Sequence, residues 1–98
     1  MNKIKEKLLK YKYIKQRLTI LESTGGSSTD IEECREKLRE IEELVKLLPE
    51  NEEKTVIELR YLRSMSWSEI TEKMSISRMT ANRKEKKALN YLKERAEI

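Results

Sequence analysis

Arg78, Asn82, Arg83, Lys86 and Lys87 lie within ten residues in which Glu85 is the only acid. Guanidinium and amide groups form paired hydrogen bonds with base edges, and ammonium groups hold phosphates as point charges, so this is the chemistry of binding rather than of bond making. To act together, these side chains must share one face of a helix. Ser77 stands just ahead of Arg78, Met79 and Thr80, where its hydroxyl can cap the first free backbone N–H groups. Ala81, Ala88, Leu89 and Leu92 then recur at three- and four-residue spacing as a small apolar face. The basic residues are left on a side short enough for a DNA major groove. A solvated charged face is the alternative for such a helix taken alone, and the preceding residues favour the first reading.

Ser66-Trp-Ser-Glu69 has the form of a capping box, followed by Ile70-Thr-Glu-Lys-Met74 as a short helix. Met74-Ser75-Ile76-Ser77 turns the chain into the next helix, with Ile70, Met74, Ile76 and Ala81 as the core of the corner. By spacing this is a helix-turn-helix. Trp67, the sole tryptophan, reads as packing rather than as a stacking contact with nucleic acid.

Four blocks in order carry a family resemblance: Val56-Ile-Glu-Leu-Arg-Tyr61, Trp67-Ser-Glu-Ile-Thr71, Ile76-Ser-Arg-Met-Thr80 and Lys87-Ala-Leu-Asn-Tyr-Leu92. Together they resemble region 4 of the sigma-70-type sigma factors, and still more the small phage regulators of the ArpU and RinA type. The resemblance covers Leu48 to Glu94. It implies that the helix after Ser77 enters the major groove. Arg78, Met79, Asn82 and Arg83 would then touch bases, with Ser77 and Thr80 nearer the phosphates. It also implies a phage or mobile-element late-gene activator. Thr71, Ser75 and Lys84 depart from the family pattern, which favours Ala or Gly, Gly and an apolar residue there; the Lys84 stem can still lie along the core.

The rest of the chain must support that element. Charged residues make up 41% and hydrophobic residues 37% of the 98, a balance that suits surface-rich helices better than a compact α/β enzyme. The charge is segregated: Met1 to Glu22 carries +5, Thr29 to Glu53 −6 and Lys54 to Ile98 +5. Affinity for nucleic acid is thereby confined to particular surfaces. No histidine is present and Cys34 is the single cysteine, which removes the commonest zinc ligand and general base and rules out an internal disulfide. We therefore expect no enzyme, no metal and no cofactor. Lysines interrupt every apolar run, so a membrane is not expected as partner and the location is expected to be cytoplasmic.

The fold class expected is all-α: an antiparallel, coiled-coil-like helical hairpin over residues 1–48, then a three-helix sigma region 4-like helix-turn-helix over 49–98. Asn2 to Glu22 reads as a helix with Ile4, Leu8, Tyr11, Ile14, Leu18 and Leu21 on one stripe. Leu9, Tyr13 and Ile20 form a second stripe that meets either a second copy or the helix-turn-helix, or is scattered surface. Ser23 to Ser28 is a glycine–serine turn, and Thr29 with Glu32 offers a capping box for the next helix. Ile31, Cys34, Leu38, Ile41, Val45 and Leu48 then follow a heptad pattern. Cys34 reads as core. Pro49 is expected to open the third helix, with Glu50, Glu52 and Glu53 in its first turn. Arg60 and Arg63 either reach phosphates or pair with carboxylates.

The function these features favour is sequence-specific transcription regulation on double-stranded DNA. Lys86 and Lys87 would hold phosphates, and Leu9, Tyr13 and Ile20 would form an oligomer or partner interface, a homodimer being the expected assembly. The alternative is a protein-interaction module that binds RNA polymerase, a sigma factor or another phage protein without reading DNA.

Overall fold

The computed structural model describes residues 3–96; the expected helix start at Asn2 and the domain ends at Met1 and Ile98 lie outside the described residues. The chain is all-α. Helices α1 (Lys3–Thr24) and α2 (Ser28–Lys46) are followed by α3 (Glu52–Ile57), which runs directly into a π turn over Glu58–Leu62. Helices α4 (Trp67–Met74) and α5 (Arg78–Ala96) complete the fold, and no strand occurs among the described residues.

α1 ends where Gly25 takes a left-handed conformation, φ 71°, and the Gly26 N–H returns to the Leu21 carbonyl at 2.7 Å. A Cβ on Gly26 would stand 2.6 Å from the Leu21 side chain, so the second glycine is needed for close approach. The chain then reverses. Arg35 pairs with Glu22 at 2.8 Å near the turn, and the Tyr11 hydroxyl donates to Glu42 at 2.5 Å farther along, so α1 and α2 run antiparallel. The cap of α2 is Ser27, whose Oγ accepts the Asp30 N–H at 3.2 Å. The box expected from Thr29 and Glu32 is not the one formed, because starting the helix at Ser28 places Thr29 inside its first turn. Pro49 likewise does not open α3. Asn51 caps it through its bond from the Lys54 N–H at 3.1 Å, and Glu52 and Glu53 fill the first turn. Glu50 lies before the helix and pairs with the Lys54 ammonium.

One buried cluster joins the two halves of the sequence. Ile4, Leu8 and Tyr11 of α1 and Leu38, Ile41, Leu44, Val45 and Leu48 meet Ile57, Tyr61, Ala88, Leu89 and Leu92. Cys34 is buried too, as its heptad position predicts. The same α1 stripe thus faces both α2 and the helix-turn-helix. Leu9, Tyr13 and Ile20 remain 48%, 67% and 61% exposed.

Candidate nucleic-acid interface

The corner between α4 and α5 is built from local signals. Ser66 accepts the Glu69 N–H at 3.2 Å while the Glu69 carboxylate accepts the Ser66 N–H at 2.9 Å, the reciprocal box its sequence predicts. That bonding holds the Glu69 carboxyl below the usual carboxylate range. α4 ends at Ser75, a left-handed residue at φ 55°, and the Ile76 N–H bonds back to the Thr71 carbonyl at 3.1 Å. This repeats the closure at Gly25 and Gly26 with a serine in the glycine's place. The Thr71 hydroxyl is satisfied by the Ser68 carbonyl at 3.0 Å. Ile70 and Ala81 are fully buried between the two helices, and Met74 and Ile76 are half-buried beside them.

Ser77 caps α5 as expected, accepting the Thr80 N–H at 3.1 Å, and its own hydroxyl donates to Thr80 Oγ1 at 3.0 Å. Both hydroxyls are therefore held at the helix start. With about 100° of rotation per residue, Met79, Asn82, Arg83, Lys86 and Asn90 fall within an arc of about 100°. All five are exposed, Met79 at 78%. Arg78 and Lys87 flank the arc on opposite sides. Asn90 was not among the residues singled out from the sequence, although the same periodicity places it there.

Each flank is tied to a neighbour. Lys87 reaches Glu53 of α3 at 3.4 Å and the half-buried Lys84 reaches Glu52 at 3.4 Å, so the Lys84 stem does lie inward. Backbone bonding, with help from Lys87, keeps the Glu53 carboxyl below its ordinary range. On the other side the Arg78 guanidinium stacks over the Trp67 ring at 4.8 Å, and Arg78 Nε donates to Asn82 Oδ1 at 3.1 Å. Arg60 stacks on the same ring at 4.9 Å and donates to the Met65 carbonyl at 3.1 Å. The carboxylate pairing offered for Arg60 is not the one formed: it pairs with an aromatic ring and a carbonyl. Trp67 is likewise more than packing, since it links two arginines across the corner.

Glu85, the only acid in the stretch, turns away from the exposed arc and accepts the Tyr61 hydroxyl at 2.6 Å. Burial chiefly, with the Glu85 bond, pushes the Tyr61 hydroxyl pKa up, so the donor stays protonated. Tyr61 stands in the π turn, which closes where the Arg63 N–H bonds to the Glu58 carbonyl at 3.0 Å, five residues back. From Met79 to Asn90 the outward arc therefore carries Arg83 and Lys86 with Asn82 and Asn90, and no carboxylate stands among these described residues.

A capped helix laid across a buried corner, with a cationic and amide-bearing outer face, defines a helix-turn-helix protein of the DNA-binding, regulatory kind. Residues 46–94, half of the chain, match the sigma-70 region 4 family, and the chain belongs to that family. Neither a curated protein nor a solved structure matches it. The family match begins at the last residue of α2, leaving α1 and nearly all of α2 outside it. Among the described residues no cluster of side chains offers a metal site, and no helix is long and apolar enough to cross a membrane.

Proposed function

We propose that the chain is a sequence-specific transcription regulator that lays the N-terminal half of α5 in the DNA major groove. The observation that carries this reading is the outward arc of α5, cationic because Glu85 is drawn inward to Tyr61. Arg83 stands in the arc, free to pair with guanine. Arg78 is pre-positioned by Trp67 and Asn82, with its terminal nitrogens left for a base or phosphate. Met79 suits a thymine methyl, and Lys86 and Lys87 supply phosphate contacts and salt dependence. Ser77 and Thr80 sit at the helix N-terminus, where a backbone phosphate is favoured. The resemblance of the four sequence blocks to small phage regulators supports a late-gene activator working in the cytoplasm beside RNA polymerase.

The test is selection of bound duplexes from a random pool, followed by salt titration of the wild type and of Arg78→Ala/Arg83→Ala on the selected site. A single motif whose preference the double variant loses supports the proposal. Equal losses on selected and random duplex would contradict base reading by these arginines.

A further inference from the structure

We propose that the outward seam of α1 is a docking strip for an amphipathic helix of a second protein, one whose apolar stripe is flanked by carboxylates. Leu9, Tyr13, Gln16 and Ile20 are spaced four, three and four residues apart, the interval of a two-helix seam. They run along the side of α1 opposite Leu8 and Tyr11, which are buried, and cover about 16 Å of helix from Leu9 to Ile20. Lys12 borders this seam on one side and Lys10 and Arg17 on the other. Among the described residues these three cations have no ion-pair partner. Near Leu9 and Tyr13 the strip continues into a groove against the π turn, lined also by Lys12, Arg60 and Ser64.

The rim charge selects the occupant. A second copy pairing through its own α1 would set Lys10, Lys12 and Arg17 against identical cations, which opposes that pairing. The acidic outer side of α2 complements the rim in sign, yet α2 has no large exposed hydrophobic residue and only Leu47, just past its end, is exposed there, so another copy has no apolar stripe to offer. A lipid surface needs a broad apolar face, whereas this strip is one side chain wide and has a glutamine in it. A helix with leucines at seam positions and glutamates beside them satisfies both the spacing and the charge. Gln16, polar in an apolar row, would fix the register of that partner.

The probe is a labelled three-heptad peptide with leucine at the seam and glutamate at the flanking positions, titrated into the full chain by fluorescence anisotropy. A matched peptide with lysine flanks is the control. The glutamate peptide should bind at least about tenfold more tightly than the lysine peptide. Leu9→Glu/Ile20→Glu should abolish that binding while leaving the thermal melt and DNA binding unchanged, because both residues are exposed and outside α5. Lys12→Glu/Arg17→Glu should invert the preference between the two peptides. Failure of both peptides to bind, or equal binding, overturns the proposal. So does sedimentation showing a wild-type dimer that Leu9→Glu/Ile20→Glu dissociates, or binding to anionic vesicles that these substitutions remove.

Discussion

α1 and α5 are both long, both basic and both packed on the same core, yet their outer faces are built in opposite ways. On α5 the middle of the exposed arc is occupied by Lys86 and Asn90 with Met79, its one exposed large hydrophobic residue, between them, and Asn82 and Arg83 stand at the two edges. On α1 the middle is Leu9, Tyr13 and Ile20, and the cations stand at the rim. Nucleic acid is met by charge and hydrogen-bonding groups at the centre of contact, because phosphates and base edges lie there. A protein partner is met by apolar side chains at the centre with charge around them. Net charge alone therefore does not separate the two kinds of surface; where the charge sits does.

One shared core holds both helices, and the largest effect should come from breaking it. Leu92 of α5 is fully buried in the cluster that contains Ile4, Leu8 and Tyr11 of α1. Leu92→Ala should cost about 2–5 kcal/mol from lost transfer energy and the cavity left behind. That is a large share of the roughly 5–15 kcal/mol typical of a domain. Urea unfolding followed by far-ultraviolet dichroism and by Trp67 fluorescence should show one transition, moved to lower urea for both probes. Two separated transitions would mean that the hairpin and the helix-turn-helix melt independently.

The next effect should fall on one surface only. Arg83→Ala removes a cation from the exposed α5 arc and should weaken binding to a selected duplex by about 1–3 kcal/mol, relaxing discrimination at one base pair. Tyr13→Glu, a change at an exposed position on α1, should leave DNA affinity within about 0.5 kcal/mol at moderate salt. Fluorescence anisotropy on the same duplex measures both. Similar losses from the two substitutions would erase the distinction between the faces.

Much of the α5 side was legible from local sequence, because caps and helix periods involve residues only a few positions apart. Ser66 with Glu69, Ser77, and the apolar set Ala81, Ala88, Leu89 and Leu92 all act where their spacing places them. The heptads of α2 and the inner stripe of α1 were equally readable. What remained hidden depends on chain segments meeting in space. The Arg60–Trp67–Arg78 stack joins three segments, and the Tyr61–Glu85 bond joins the π turn to α5. The apolar spacing of Val56, Ile57, Leu59, Tyr61 and Leu62 gives no sign that α3 widens at Glu58. The starts of α2 and α3 were misplaced because several good caps stand within two or three residues. Ser27 and Thr29 compete for one helix end, Pro49 and Asn51 for the other, and Ser27 and Asn51 are the residues that cap.

Two tyrosine–glutamate bonds offer a subtler test, one in each region. Tyr11 is pushed up to about 12, chiefly by burial and then by its bond to Glu42, and Tyr61 is also raised, chiefly by burial and then by Glu85. Each hydroxyl is thus held protonated in the folded chain, while in the unfolded chain it titrates near 10. The stability they contribute is intact below pH 10 and falls as pH rises toward about 12. Thermal melts across that interval should show a decline that Tyr11→Phe reduces and Tyr11→Phe/Tyr61→Phe reduces further. An unchanged decline in the double variant would assign alkaline unfolding to other groups.

The smallest effect concerns the two helix ends that close alike. Gly25 and Ser75 both occupy the left-handed region, at φ 71° and 55°, and each is followed by a backbone bond to a carbonyl five residues earlier. A serine there carries a Cβ penalty of about 1–2 kcal/mol that glycine lacks. Glycine, however, loses about 0.4–1 kcal/mol more through the freedom it adds to the unfolded chain. Ser75→Gly should therefore stabilise by roughly 0.5 kcal/mol net. Gly25→Ala should destabilise by a similar amount, since no atom within 4 Å would obstruct its Cβ and only the backbone preference opposes it. Urea midpoints for the two variants check the pair. If Ser75→Gly moves the midpoint downward, interactions of the Ser75 side chain outweigh its backbone penalty, and the two closures are alike in geometry but not in energy.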